Sequence, residues 1–144
     1  MNSSGEQATK AGETVLVVED EVLLRLSIAA YLRDCGYKVI EAADADEAVL
    51  VLKQPDLDID VLFTDVEMTG DVDGFGLAQW TRANRPGLDV ILTSGAPSAV
   101  NAAATLCEDG PMPKRYEPQL VHDHIRRLLA ARPPKRPAGR PEKG

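Results

Sequence analysis

Short apolar runs alternate along the chain with stretches whose apolar residues recur every three or four positions. The runs predict strands over Thr14 to Val18, Lys38 to Glu41, Asp60 to Thr64 and Asp89 to Thr93, with a weaker fifth near Pro111 to Pro113. Continuous rather than alternating apolar character belongs to strands buried on both faces. Strands alternating with helices imply an α/β fold, in which a parallel five-stranded sheet lies between two layers of helices.

The helical stretches carry their own punctuation. Leu24, Ile28, Tyr31, Leu32 and Cys35 form one apolar stripe, and Gly36 follows as a stop. Asp44 and Glu47, three apart, make a capping box ahead of Ala48, Val49 and Leu52, and Pro55 closes that segment. A third helix is predicted over Gly74 to Asn84, stopping before Pro86, and a fourth, alanine-rich one over Ala99 to Cys107. The last begins with Pro118 in its first turn and runs to Ala131, with Val121, Ile125, Leu128 and Leu129 on one side. His122 and His124, two apart on that helix, face different ways and lack the spacing of a zinc pair.

A chain of 144 residues suits one domain, expected here over residues 14 to 131 between tails at 1 to 13 and 132 to 144 that resist regular structure. The second tail holds Pro133, Pro134, Pro137 and Pro141. Its five basic residues against one acidic give it +4, so the formal charge of -7 conceals a body at -11, which repels nucleic acid. A solvated linker is the expectation for the tail, with an electrostatic arm as the alternative. No apolar run approaches the roughly 20 residues of a membrane span. The polar N-terminus and the unpaired spacing of Cys35 and Cys107 point to a cytoplasmic protein with buried reduced thiols.

Candidate chemistry lies at the strand ends. Glu19, Asp20, Asp65, Ser94 and Lys114 each fall just past a predicted strand, and in an open parallel sheet such residues line the ligand crevice. Clustered carboxylates raise one another's pKa unless a cation intervenes. A hard ion with oxygen ligands fits that need, and Mg²⁺, which keeps most of its waters, suits a shallow acidic site.

Five landmarks then stand in order: Val15-Leu16-Val17-Val18-Glu19-Asp20-Glu21, Phe63-Thr64-Asp65-Val66-Glu67-Met68-Thr69-Gly70, Asp73-Gly74, Leu92-Thr93-Ser94-Gly95 and Lys114-Arg115-Tyr116. Over about residues 13 to 131 the chain resembles a response-regulator receiver domain. The resemblance implies a doubly wound, flavodoxin-like three-layer sandwich. It makes Asp65 the phosphoacceptor of a two-component phosphorelay, fed by a histidine kinase or a histidine phosphotransfer protein. Mg²⁺ would be held by Glu19, Asp20, Asp65 and the backbone carbonyl of Glu67. Ser94 would be the hydroxyl that switches onto the phosphate, and Lys114 its charge partner. Such a protein is a signalling phosphoacceptor rather than an enzyme. With no DNA-binding module after residue 131, the resemblance implies a stand-alone receiver that signals by protein contact. The fourth helix, fifth strand and last helix would form its output face or a homodimer contact.

The chain also departs from the family pattern. Arg115 stands where a cis proline usually follows the lysine, and a cis bond before a non-proline residue costs about 2.5 to 4 kcal/mol. Pro111 replaces the usual aromatic switch residue, Met68-Thr69-Gly70 replaces a Met-Pro pairing, and the loop from Asp65 to Asp73 is one residue longer than the shortest pattern. These departures keep open a receiver-like docking module that is never phosphorylated. A flavin-binding domain of the same class is disfavoured, because no Gly/Ser/Thr-rich phosphate cradle follows the first strand.

Overall fold

The computed structural model describes residues 12–68, 72–94, 112–113 and 116–131. In chain order they form β1 (Thr14–Val18), α1 (Val22–Asp34), β2 (Lys38–Ala42), α2 (Ala45–Leu52), β3 (Val61–Asp65), α3 (Gly74–Asn84), β4 (Asp89–Ser94), β5 (Met112–Pro113) and α4 (Pro118–Ala131). The helix expected over Ala99 to Cys107 and the tails, apart from residues 12 and 13, lie outside the described residues, as do Lys114 and Arg115.

All strand pairs are parallel, in the order β2-β1-β3-β4-β5. The chain runs outward from β1 to β2, then returns past β1 to build the sheet in the other direction, so the order reverses between β1 and β3. The crevice of a doubly wound sheet opens at that reversal, beyond the strands' carboxyl ends. This is the expected flavodoxin-like α/β sandwich. Among the described residues the fifth strand is seen as a pairing of Met112 and Pro113 with Thr93 and Ser94.

Successive side chains on a strand point to opposite faces, and the core divides accordingly. Leu16, Val18, Leu62, Val90 and Leu92 pack with Ala48, Leu52, Leu77 and Ala78 of α2 and α3. Val15, Val17, Val61, Phe63 and Ile91 pack on the other face with Ile28, Leu32, Val121, Ile125 and Leu128 of α1 and α4. Each face is covered, which is why the strands read as unbroken apolar runs.

The helix ends follow their local chemistry. Asp44 accepts a hydrogen bond from the Glu47 N–H at 2.9 Å, while the Glu47 carboxylate accepts from the Ala43 N–H at 2.8 Å, one residue before the expected cap position. Asp73 caps α3 through the Gly76 N–H. Gly36 ends α1 with φ +104°, a conformation that favours glycine.

Two expectations need correction. The third and fourth strands run one residue further than their apolar cores, so Asp65 and Ser94 are the last residues of β3 and β4 rather than loop residues. Ladder pairing continues through polar side chains, since backbone groups make it: Asp65 is in register with Thr93, and Ser94 with Pro113. Cys35, expected buried, is a half-buried free thiol at the end of α1, while Cys107 is outside the described residues.

His124 is buried on the core side of α4, whereas His122 is half-buried edge-on to Tyr37, with ring centroids 5.5 Å apart. The His122 Nδ1 is buried without a hydrogen-bond partner among the described residues. Burial, aided by the Arg126 guanidinium and opposed by Asp123, holds its imidazole below the usual 6.5. The unfolded chain therefore binds a proton there more readily than the folded one, and stability is lost as pH falls through 6.5 and below. Urea unfolding across that range is expected to show a declining midpoint, and His122→Phe should flatten the decline; an unchanged slope would show that the imidazole contributes nothing.

Candidate phosphoacceptor site

The reversal of strand order sets the ends of β1 and β3 side by side, with Val18 in register with Thr64. The next residue on each strand is an acid. Glu19 and Asp65 are 3% and 2% exposed, Asp20 is half-buried, and one carboxylate oxygen from each of the three falls within 4.8 Å of the others. The three acids singled out in the sequence thus meet in one cluster.

The backbone beneath the cluster is held from several directions. The Glu19 N–H donates to the Ala42 carbonyl at 3.1 Å, extending the β1–β2 ladder past the strand end. Arg25, one turn into α1, donates from Nη1 to the Glu19 carbonyl at 2.8 Å and pairs through Nε with Glu41 at 3.3 Å. Arg33 grips the other oxygen of Glu41 at 3.1 Å, so β2 and α1 brace the acidic loop together. The Glu19 carboxylate accepts from the Glu21 N–H at 3.0 Å, which orients it.

Asp65 is fixed in the same manner. The Thr64 hydroxyl donates to the Asp65 carbonyl at 3.1 Å, and the Glu67 N–H donates to Asp65 Oδ1 at 3.3 Å. The Val66 N–H reaches the Thr93 carbonyl at 2.8 Å, and the Gly74 N–H reaches the Val66 carbonyl at 2.9 Å. Gly74 opens α3 directly against this turn: a Cβ there would lie 2.1 Å from the Asp65 carbonyl oxygen and 2.7 Å from the Val66 Cα. Only a residue without a side chain lets α3 begin so close to Asp65.

Ser94 is 5% exposed and donates its hydroxyl to Glu67 Oε2 at 2.6 Å. Tyr116, just before α4, stands edge-on to Phe63 with centroids 5.7 Å apart. Its phenol is pushed well above the ordinary range, first by burial and then by the negative fields of Glu19, Asp65 and Glu21. The charge-balancing position expected of Lys114 lies outside the described residues.

The donor set fits a hard divalent cation. Three carboxylates, two of them buried, offer oxygen ligands alone, and bringing them together unneutralised is costly. Two contributors escaped the sequence reading. Arg25 carries no local signal of its role, because its partners lie on another strand and in the preceding loop. Gly74 was visible as a landmark, but the reason for glycine there is a tertiary contact.

A doubly wound α/β sandwich with carboxylates gathered at its switch point defines the receiver class of fold. The comparisons agree: residues 15–126 match the response regulator receiver domain family, and the chain belongs to it. The sensor kinase CckA of Brucella abortus is 35% identical over 92 residues, which cover 62% of this chain and 10% of the kinase. The receiver domain of hybrid histidine kinase CckA superposes with a TM-score of 0.68 at 31% identity, covering 81% of this chain and 98% of that one. The response regulator TrrA of Thermotoga maritima, solved with Mg²⁺ and BeF, has the same fold, with a TM-score of 0.71 at 22% identity over 81% of this chain and 99% of the other. The chain spans less than half the length of the curated relatives it matches, as with 48% of a transcriptional regulator from Porphyridium aerugineum and 19% of an NtrX-like regulator from Rickettsia conorii.

Gly74→Ala is expected to force the first turn of α3 off the Asp65–Val66 backbone and to cost about 1 to 3 kcal/mol. Denaturant unfolding of the purified variant checks this. Wild-type stability would show that the contact relaxes without cost.

Proposed function

We propose that Asp65 accepts a phosphoryl group from a phosphohistidine donor and that the chain acts as the phosphoacceptor of a two-component signalling pathway. The observation that carries this reading is the cluster of Glu19, Asp20 and Asp65 within 4.8 Å at the switch point of a receiver fold. A nucleophilic carboxylate needs a rigid backbone, and Asp65 has one in the contacts from Thr64 and Gly74.

An Asp65 carboxylate oxygen would attack the phosphorus in line with the phosphorus–nitrogen bond. An acyl phosphate forms, that bond breaks, and the leaving imidazole keeps its electron pair and takes up a proton. Glu19, Asp20, Asp65 and the Glu67 carbonyl would hold Mg²⁺, which when bound offsets charge on the phosphoryl oxygens. Lys114 would supply the second positive charge, and the Ser94 hydroxyl would donate to a phosphoryl oxygen once the group is in place.

A donor protein must reach a carboxylate that is 2% exposed, so it must dock close by. At the start of α1, immediately after the acidic loop, Val22, Leu23 and Leu26 are 52%, 78% and 49% exposed and supply an apolar surface for that contact. A histidine kinase or a histidine phosphotransfer protein fits this role. The output face would include β5 and α4.

Incubation with acetyl phosphate and Mg²⁺, followed by intact mass measurement, is expected to add one phosphoryl group. Chelating the metal or making Asp65→Asn should abolish the addition. Failure of the wild type to take up the group, or an adduct that survives Asp65→Asn, would overturn the reading and favour a docking module that is never phosphorylated.

A further inference from the structure

Glu67 carries an interaction that the phosphoacceptor reaction does not call for. Its side chain folds back across the carboxyl ends of β3 and β4, and its Oε2 accepts the Ser94 hydroxyl at 2.6 Å. A distance this short marks a charge-assisted bond. The backbone arrangement sets it up: Asp65 Oδ1 accepts the Glu67 N–H at 3.3 Å, and β4 runs alongside with Thr93 in register with Asp65 and Ser94 one residue beyond.

A serine hydroxyl has one proton to give. While Glu67 accepts it, that proton cannot go to a phosphoryl oxygen on Asp65. We propose that Glu67 is a positioning residue that holds the Ser94 hydroxyl in the unphosphorylated state and yields it when a phosphoryl group arrives. The proposal rests on the reading of Asp65 as phosphoacceptor. A phosphoryl group brings a charge of about -1.5 to -2 and several strong acceptors, so it both competes for the proton and repels the Glu67 carboxylate. The hydroxyl exchanges one anionic acceptor for another. The Glu67 side chain, on an exposed residue, then gives up its bond to Ser94.

Phosphorylation therefore works against an existing bond, and weakening that bond should favour the phosphoryl-bound state. Beryllofluoride with Mg²⁺, a mimic of the phosphoryl group, provides the probe, measured by titration calorimetry on the whole chain. Glu67→Ala is expected to tighten its binding about tenfold, the lower end of what a hydrogen bond to a charged group contributes. Glu67→Gln, which keeps an acceptor oxygen but loses the charge, should fall between. Both substitutions keep the backbone carbonyl expected to serve the metal.

Repulsion alone would also tighten binding, so the deciding measurement is a double-mutant cycle. In a Ser94→Ala background no proton remains to be held, and the gain from Glu67→Ala should shrink well below tenfold, to what relief of repulsion alone supplies. Equal gains in both backgrounds, or no gain in the first, would overturn the proposal while leaving Asp65 as the acceptor. Wild-type protein that binds no beryllofluoride would overturn the acceptor reading and this proposal together.

Discussion

Three carboxylates that repel one another are held at one point, and much of the scaffold around the site serves that constraint. Glu19 and Asp65 have little exposure to water, so their mutual repulsion is weakly screened, and the chain left to itself would move them apart. What prevents this is the parallel ladder between β1 and β3, which fixes the spacing of the two strand ends. The restraint lies mainly in backbone groups. Arg25 grips the Glu19 carbonyl, Thr64 the Asp65 carbonyl, and α3 presses Gly74 against the same turn.

Such a site needs a sheet that does not flex, and burial on both faces provides it. Leu16 and Val18 point into one core, Val15 and Val17 into the other, so β1 has no solvent face along which to twist or slip. A shift of one residue would exchange the two cores and carry Glu19 to the wrong side. The same two cores anchor α1 and α3, whose first turns carry Arg25 and Gly74. Core packing and the placement of the acidic groups are therefore one structural fact.

Much of this was legible in the chain itself. The four main strands and the outer helices could be read because buried parallel strands leave unbroken apolar runs, and capping residues such as Asp44 and Gly36 mark helix ends through local bonds. The ends of β3 and β4 at Asp65 and Ser94 lie one residue past the apolar runs, because the backbone continues to pair beyond the last apolar side chain. Arg25 and the half-buried setting of His122 against Tyr37 were illegible, since their partners come from distant parts of the chain.

The sequence by itself determined which acids follow which strands, because apolar periodicity and the residue after each run are local properties. It thereby determined that Glu19, Asp20 and Asp65 would share a sheet edge once the strands were parallel. Tertiary structure decided the rest: the adjacency of β1 and β3, the 4.8 Å cluster and the pressure of Gly74 on Asp65. It also decided that the Ser94 hydroxyl donates to Glu67, because that bond depends on the register of two strands far apart in the chain. Distances between such groups are set by packing, and packing is a property of the whole chain folded at once.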